Sequence, residues 1–132
     1  MSNTHQKTSV DYSKFVGIPY EEKNCWELCR DFYREILGVE LKTYFEGPVP
    51  TKEITKSLIY TNLGDFIRVA DGEKLLVGDL VLMKIFGIEA HIGVYLGQGN
   101  VLHTSKVVGS NVDRVGRLGK LITGFFRMRA GI

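Results

Sequence analysis

The stretch from Asn24 to Gly38 constrains the chain more than any other. Between Cys25 and Leu37 the apolar residues are Cys25, Leu28, Cys29, Phe32, Ile36 and Leu37. This i, i+3, i+4, i+7 spacing draws one continuous stripe along a helix and would scatter on a strand. Asn24 is a good N-cap, Glu27 three residues later completes a capping-box pattern, and Gly38 suits the C′ stop. The pattern predicts one amphipathic helix over Cys25–Leu37. A weaker helix is expected over Ile54–Asn62, after a loop at residues 42–52 with two prolines, and Phe66–Ala70 reads as a strand before an Asp71-Gly72 turn. The period then changes. Leu80–Phe86, Ala90–Leu96, Val101–Ser105, Val107–Val112 and Leu121–Met128 are short β-rich runs, mostly parted by glycine-containing turns. A helix followed by a sheet gives an α+β domain, with the N-terminal helix packed on a C-terminal antiparallel sheet of about five to six strands.

At 132 residues the chain is long enough for one core. We expect a flexible N-terminal arm over residues 1–14 and a single domain over 15–132. No apolar run reaches the roughly 18–20 residues of a membrane span. The opening MSNTHQKTSVDYSKF has no apolar signal core, so cytoplasmic synthesis is expected. A net charge of +2 is too small to argue for a nucleic-acid partner, and none is expected. The charge is uneven all the same: from Val107 onward Arg114, Arg117, Lys120, Arg127 and Arg129 face the single acid Asp113. Such a basic edge is ordinarily a solvated face, or else a surface for a polyanion.

The two cysteines stand four apart on one helix, a geometry that does not favour an internal disulfide. Cys25 falls at the first helical position, where unsatisfied N–H groups and the positive end of the dipole favour a thiolate and can also hold an oxyanion. Cys29, one turn further in, reads as a small core residue. A thiolate nucleophile needs an imidazole and a group to orient it. His5 lies in the arm, which leaves His91 and His103. If Gly97-Gln98-Gly99 is a three-residue hairpin loop, Leu96 faces Asn100. Gly93 then lies opposite His103, and His91 stands two residues along on the same face. A two- or four-residue loop would part the histidines. Two other readings stand beside this one: both histidines as structural strand residues, or a zinc site of Cys25, Cys29, His91 and His103. The eleven residues between the histidines do not match the spacing of a zinc finger, and the helix stripe needs Cys29 in the core.

The ordered set of Gly17-Ile18-Pro19-Tyr20, Asn24-Cys25-Trp26, Val77-Gly78-Asp79-Leu80-Val81, Ala90-His91-Ile92-Gly93-Val94-Tyr95-Leu96-Gly97 and Val101-Leu102-His103 resembles the NlpC family of papain-like cysteine peptidases, which are cell-wall endopeptidases. The resemblance runs from about Phe15 to Phe126. It implies Cys25 as nucleophile, His91 as general base and acid, and His103 as the orienting third residue. It also implies an oxyanion and substrate-binding surface from Tyr20, Trp26, Glu27 and Gly93. The implied substrate is the peptide stem of peptidoglycan, at a D-γ-glutamyl–diamino acid bond, with neither cofactor nor metal. Only Glu21–Asn24 separates Tyr20 from Cys25, and Glu27 stands where the family commonly has a small residue. This short form is similar to the phage tail-associated branch, which implies tail proteins as partners and a virion location. A structural tail-assembly protein of the same fold, or an acyltransferase or deamidase acting on a protein, are the alternatives.

Overall fold

The structure is a computed structural model that describes residues 11–41, 66–85 and 88–128. The expected loop at 42–52, the helix at 54–62, His5 and most of the N-terminal arm lie outside the described residues. Of the arm, Ser13 opens a 3₁₀ turn over Ser13–Phe15, Tyr12 packs against the core, and Lys14 pairs with Glu35 at 2.8 Å.

Helix α1 spans Cys25–Phe32 and continues as a π-helical turn over Tyr33–Leu37. Its end is the predicted one. Gly38 adopts φ 69°, and the chain leaves the helix there because only glycine takes this conformation freely. The widened last turn holds Tyr33 in the core, where its hydroxyl donates to the Gly78 carbonyl.

Among the described residues six antiparallel strands follow: β1 Phe66–Arg68, β2 Leu80–Ile85, β3 Ile88–Gly97, β4 Asn100–Ser105, β5 Gly109–Arg114 and β6 Ile122–Met128. Their spatial order is β1-β6-β2-β3-β4-β5. A four-residue helix, α2, occupies Val115–Leu118 between β5 and β6. The expected α+β papain-like architecture is the one observed. Along β2, β3 and β4, alternate residues face opposite ways, and both sets are buried. Leu80, Leu82, Ile92, Val94, Leu96 and Leu102 meet Leu28, Cys29 and Phe32 of α1. Val81, Met83 and Val101 face the other way, against Leu118 of α2. Each large apolar side chain taken fully from water contributes roughly 1.5–3 kcal/mol, so these two layers fix the sheet against both helices.

Two hairpin turns set the register of the site. Between β3 and β4 the closing pair is Gly97–Asn100, so Gln98-Gly99 is a two-residue turn. The register slips by one between Tyr95 and Gly97, and beyond that bulge Tyr95 pairs with Val101 and Val94 with Leu102. Gly97, Gln98 and Gly99 all take positive φ. The turn is thus shorter than expected, but the bulge restores the expected parity. Between β4 and β5 the sequence reading placed a strand at Val107–Val112. Instead Lys106–Val108 forms a turn, Val107 is 93% exposed, and β5 begins at Gly109. Two valines gave that run its β character, but Gly109 at φ 82° lets the chain turn back into the strand.

Outside β5 lies the segment Phe15–Ile18. Gly17 N–H donates to the Ser110 carbonyl at 2.8 Å and Ser110 N–H to the Ile18 carbonyl at 2.9 Å. The Ser110 hydroxyl accepts from Ile18 N–H and donates to the Phe15 carbonyl. A Cβ on Gly109 would lie 2.8 Å from the Ile18 carbonyl oxygen, so this approach needs glycine.

Candidate active site

The helix start is built as the sequence predicts. Asn24 Oδ1 accepts the Glu27 N–H and Glu27 Oε1 accepts the Asn24 N–H, each at 2.9 Å. This reciprocal cap fixes the first turn and carries Cys25 into the core. Burial pushes the Cys25 thiol up to about 11, the N–H groups of Ile92, Trp26 and Cys25 itself pull the other way, and the Glu27 carboxylate adds to the rise. The helix start therefore supplies the donors that were expected, but the loss of solvent outweighs them. Cys29, also buried, is likewise raised, first by burial and then by Cys25.

The Ile92 N–H acts on the Cys25 thiol from a fork in the sheet. The paired register of β3 and β4 stops at Val94–Leu102, short of Ile92. Tyr95 N–H donates to the Asp79 carbonyl on the β2 side, so by strand alternation the Ile92 N–H points toward β4. At the fork it favours the charged form of Cys25.

His91 and His103 have the parity of Val81 and Val101, so they stand on the sheet face away from α1. The fork lies between their strands. His91 Nε2 lies 2.9 Å from His103 Nδ1, with the rings edge to face at 78°. Gly93 makes this possible, since a Cβ there would fall 2.7 Å from the Leu102 carbonyl oxygen and 3.1 Å from the His103 Cβ. Burial, with a smaller contribution from His103, pushes the His91 imidazole down to about 3. It is therefore a neutral base at ordinary pH. Nδ1 of His91 has no hydrogen-bond partner among the described residues.

Sequence reasoning missed Asp113 as a member of this group. Its Oδ2 lies 2.8 Å from His103 Nε2. The signal was present, because a three-residue turn at Lys106–Val108 pairs His103 with Asn111 and sets Asp113 diagonally on the same face. Reading Val107–Val112 as a strand hid that turn.

Tyr20 is half-buried, and its hydroxyl is pushed up to about 12 by burial and by the charges of Cys25 and Glu27. The tyrosine thus stands in the electrostatic neighbourhood of the sulfur, under Lys106, whose Nζ is 5.7 Å from the ring centroid. The Trp26 side chain sits in the core at 7% exposure, and what it offers the sulfur is its backbone N–H. Among the described residues, no group of three or more His, Cys, Asp or Glu side chains is arranged to hold a metal ion. A cleft of about 350 Å³ at the β1–β6 end, lined by Arg68, Glu73, Thr123 and Phe125 among others, contains none of these site residues.

The model of the NlpC/P60 family matches residues 11–118. Among solved structures, the P60 domain of an antigen from M. avium subspecies paratuberculosis is 19% identical, with a TM-score of 0.50. That match covers 79% of this chain, which spans only 63% of the mycobacterial chain. The NlpC/p60 domain of the peptidoglycan hydrolase SagA is 18% identical with a TM-score of 0.54, covering 89% of this chain and 92% of that one. No curated protein matches the sequence. A cysteine at a capped helix start, two hydrogen-bonded strand histidines and a family match over most of the length lead to one conclusion: the chain belongs to the NlpC/P60 family.

Proposed function

We propose that this protein is a cysteine endopeptidase that hydrolyses peptidoglycan stem peptides. The observation that carries the reading is the hydrogen-bonded His91–His103 pair in a chain of this family whose capped helix starts at Cys25. Cys25 is the nucleophile, His91 the general base and acid, and His103 the orienting residue.

The free site rests as a thiol and a neutral imidazole, since burial disfavours both charged forms. Transfer of the thiol proton to His91 Nδ1 creates both charges together, each offsetting the other's penalty. The sulfur forms a bond to the scissile carbonyl carbon, and the electron pair moves to the oxygen. Backbone N–H groups at the helix start and the Tyr20 hydroxyl are the donors available to that oxyanion. The C–N bond breaks as His91 Nδ1 returns the proton to the leaving amine, leaving a thioester. Water then gives a proton to His91 and its oxygen to the carbonyl carbon. The C–S bond breaks and the sulfur regains the proton.

For the bond, we favour D-γ-glutamyl–diamino acid. A phage tail component acting with tail proteins is the setting supported by the short form of the site, with Glu21–Asn24 alone between Tyr20 and Cys25. The test is digestion of purified muropeptides from several wall types by wild type and Cys25→Ala, read by mass spectrometry. Wild type should release a new free amine at one bond, and the variant none. No product from any wall type would overturn the peptidase reading in favour of a tail-assembly role.

A further inference from the structure

We propose that Asp113 is a positioning residue that sets the tautomers of both histidines, and so keeps His91 Nδ1 free to receive the thiol proton. The inference rests on the peptidase reading for its consequence, but on hydrogen-bond geometry for its substance.

Two neutral imidazole nitrogens 2.9 Å apart must be one N–H and one lone pair. Two arrangements satisfy this. In the first, His103 Nε2 carries its proton toward Asp113 and His103 Nδ1 is bare. His91 Nε2–H then donates to that bare nitrogen, and His91 Nδ1 holds a lone pair. In the second, every proton sits on the opposite nitrogen. His91 Nδ1 then already bears hydrogen and cannot act as a base toward Cys25.

Nothing within the histidine pair chooses between these arrangements. Asp113 does, because an ionised carboxylate only accepts, and a bare His103 Nε2 at 2.8 Å would set lone pair against lone pair. The other Asp113 oxygen lies 3.7 Å from the Arg117 guanidinium on α2, a cation that suits a carboxylate there. The charged groups that bear on the histidine pair are therefore Asp113 from β5 and, through it, Arg117 from α2. No proton leaves His103 or reaches Asp113 during the reaction. The carboxylate selects the arrangement, and the single transfer runs from sulfur to His91 Nδ1. When His91 becomes an imidazolium, its Nε2–H already points at a lone pair backed by a negative charge, so no group need reorient.

Nitrogen NMR of the ¹⁵N-labelled full-length protein reads the tautomers directly and needs no substrate. In the wild type both rings should carry hydrogen on Nε2 and a bare Nδ1; hydrogen on His103 Nδ1 would overturn the proposal. In Asp113→Asn the amide can turn either its oxygen or its NH₂ to His103. Both arrangements then open, and the single-tautomer pattern should be lost. On muropeptides kcat should fall by about 10- to 100-fold, with KM within roughly twofold. Unchanged tautomers in a folded Asp113→Asn protein, or wild-type kcat, would sink the role of Asp113 while leaving the peptidase reading intact. A wild type that cuts no muropeptide but shows the Asp113-dependent tautomers would remove that reading and leave the proton arrangement standing.

Discussion

At Cys25 one sulfur is subject to opposing influences. Three backbone N–H groups favour its charged form, whereas burial and the Glu27 carboxylate favour the thiol. Glu27 has two separable effects here, since its oxygen caps the helix while its charge acts on the sulfur. Glu27→Gln keeps an acceptor for the Asn24 N–H and removes the charge. Its Cys25 should therefore be alkylated by iodoacetamide at lower pH than in the wild type, with Cys29 as the slower internal control in peptide mapping. An unchanged profile would show that the carboxylate is screened from the site. The capped helix start at Cys25 was legible in the sequence, because helix spacing and capping are local rules. The raised thiol was not, because burial is a property of the assembled core.

At the scale of the element, the site depends on two turns and a glycine. The parity argument reached the right pairing of His91 with His103 through a loop that is one residue shorter than expected. A bulge supplies the missing residue, and the register beyond it is unaffected. The turn at Lys106–Val108 obeys the same arithmetic, yet the β-branched pair Val107-Val108 made it read as strand, and with it went the position of Asp113. Gly93→Ala tests how closely β3 and β4 must approach. The added methyl would press on the Leu102 carbonyl, a backbone atom that cannot rotate aside. We expect a loss of about 1–3 kcal/mol in urea unfolding, together with loss of the His91–His103 hydrogen bond in nitrogen NMR. Wild-type stability in this variant would mean that the strands part without penalty.

Across the whole molecule, two residues of the basic C-terminal edge are engaged internally, and Arg129 lies outside the described residues. Arg127 binds Asp79 and Glu73, and Arg114 binds the Gln98 carbonyl and Asn100. Acid should unfold the protein through His91. Folding lowers its imidazole from 6.5 to about 3, so between those values the unfolded chain binds a proton that the folded one refuses. Stability from this group is complete above pH 6.5 and declines as pH falls, by about 2 kcal/mol at pH 5. His91 faces His103, which faces Asp113, so the variant must spare both. In His91→Gln the drop in urea midpoint between pH 7 and pH 5 should be smaller than in the wild type. Equal drops would assign the acid response to other groups.

The Phe15–Ile18 segment has a consequence for how the molecule meets others. β5 is an outer strand, and a bare outer strand offers N–H and C=O groups to any extended peptide, including another copy of itself. At Ser110 those groups are already taken by Gly17 and Ile18. An extended peptide, or a second molecule, therefore cannot join the sheet there as one more strand. The molecule closes part of its own edge with a stretch of chain more than ninety residues away in sequence.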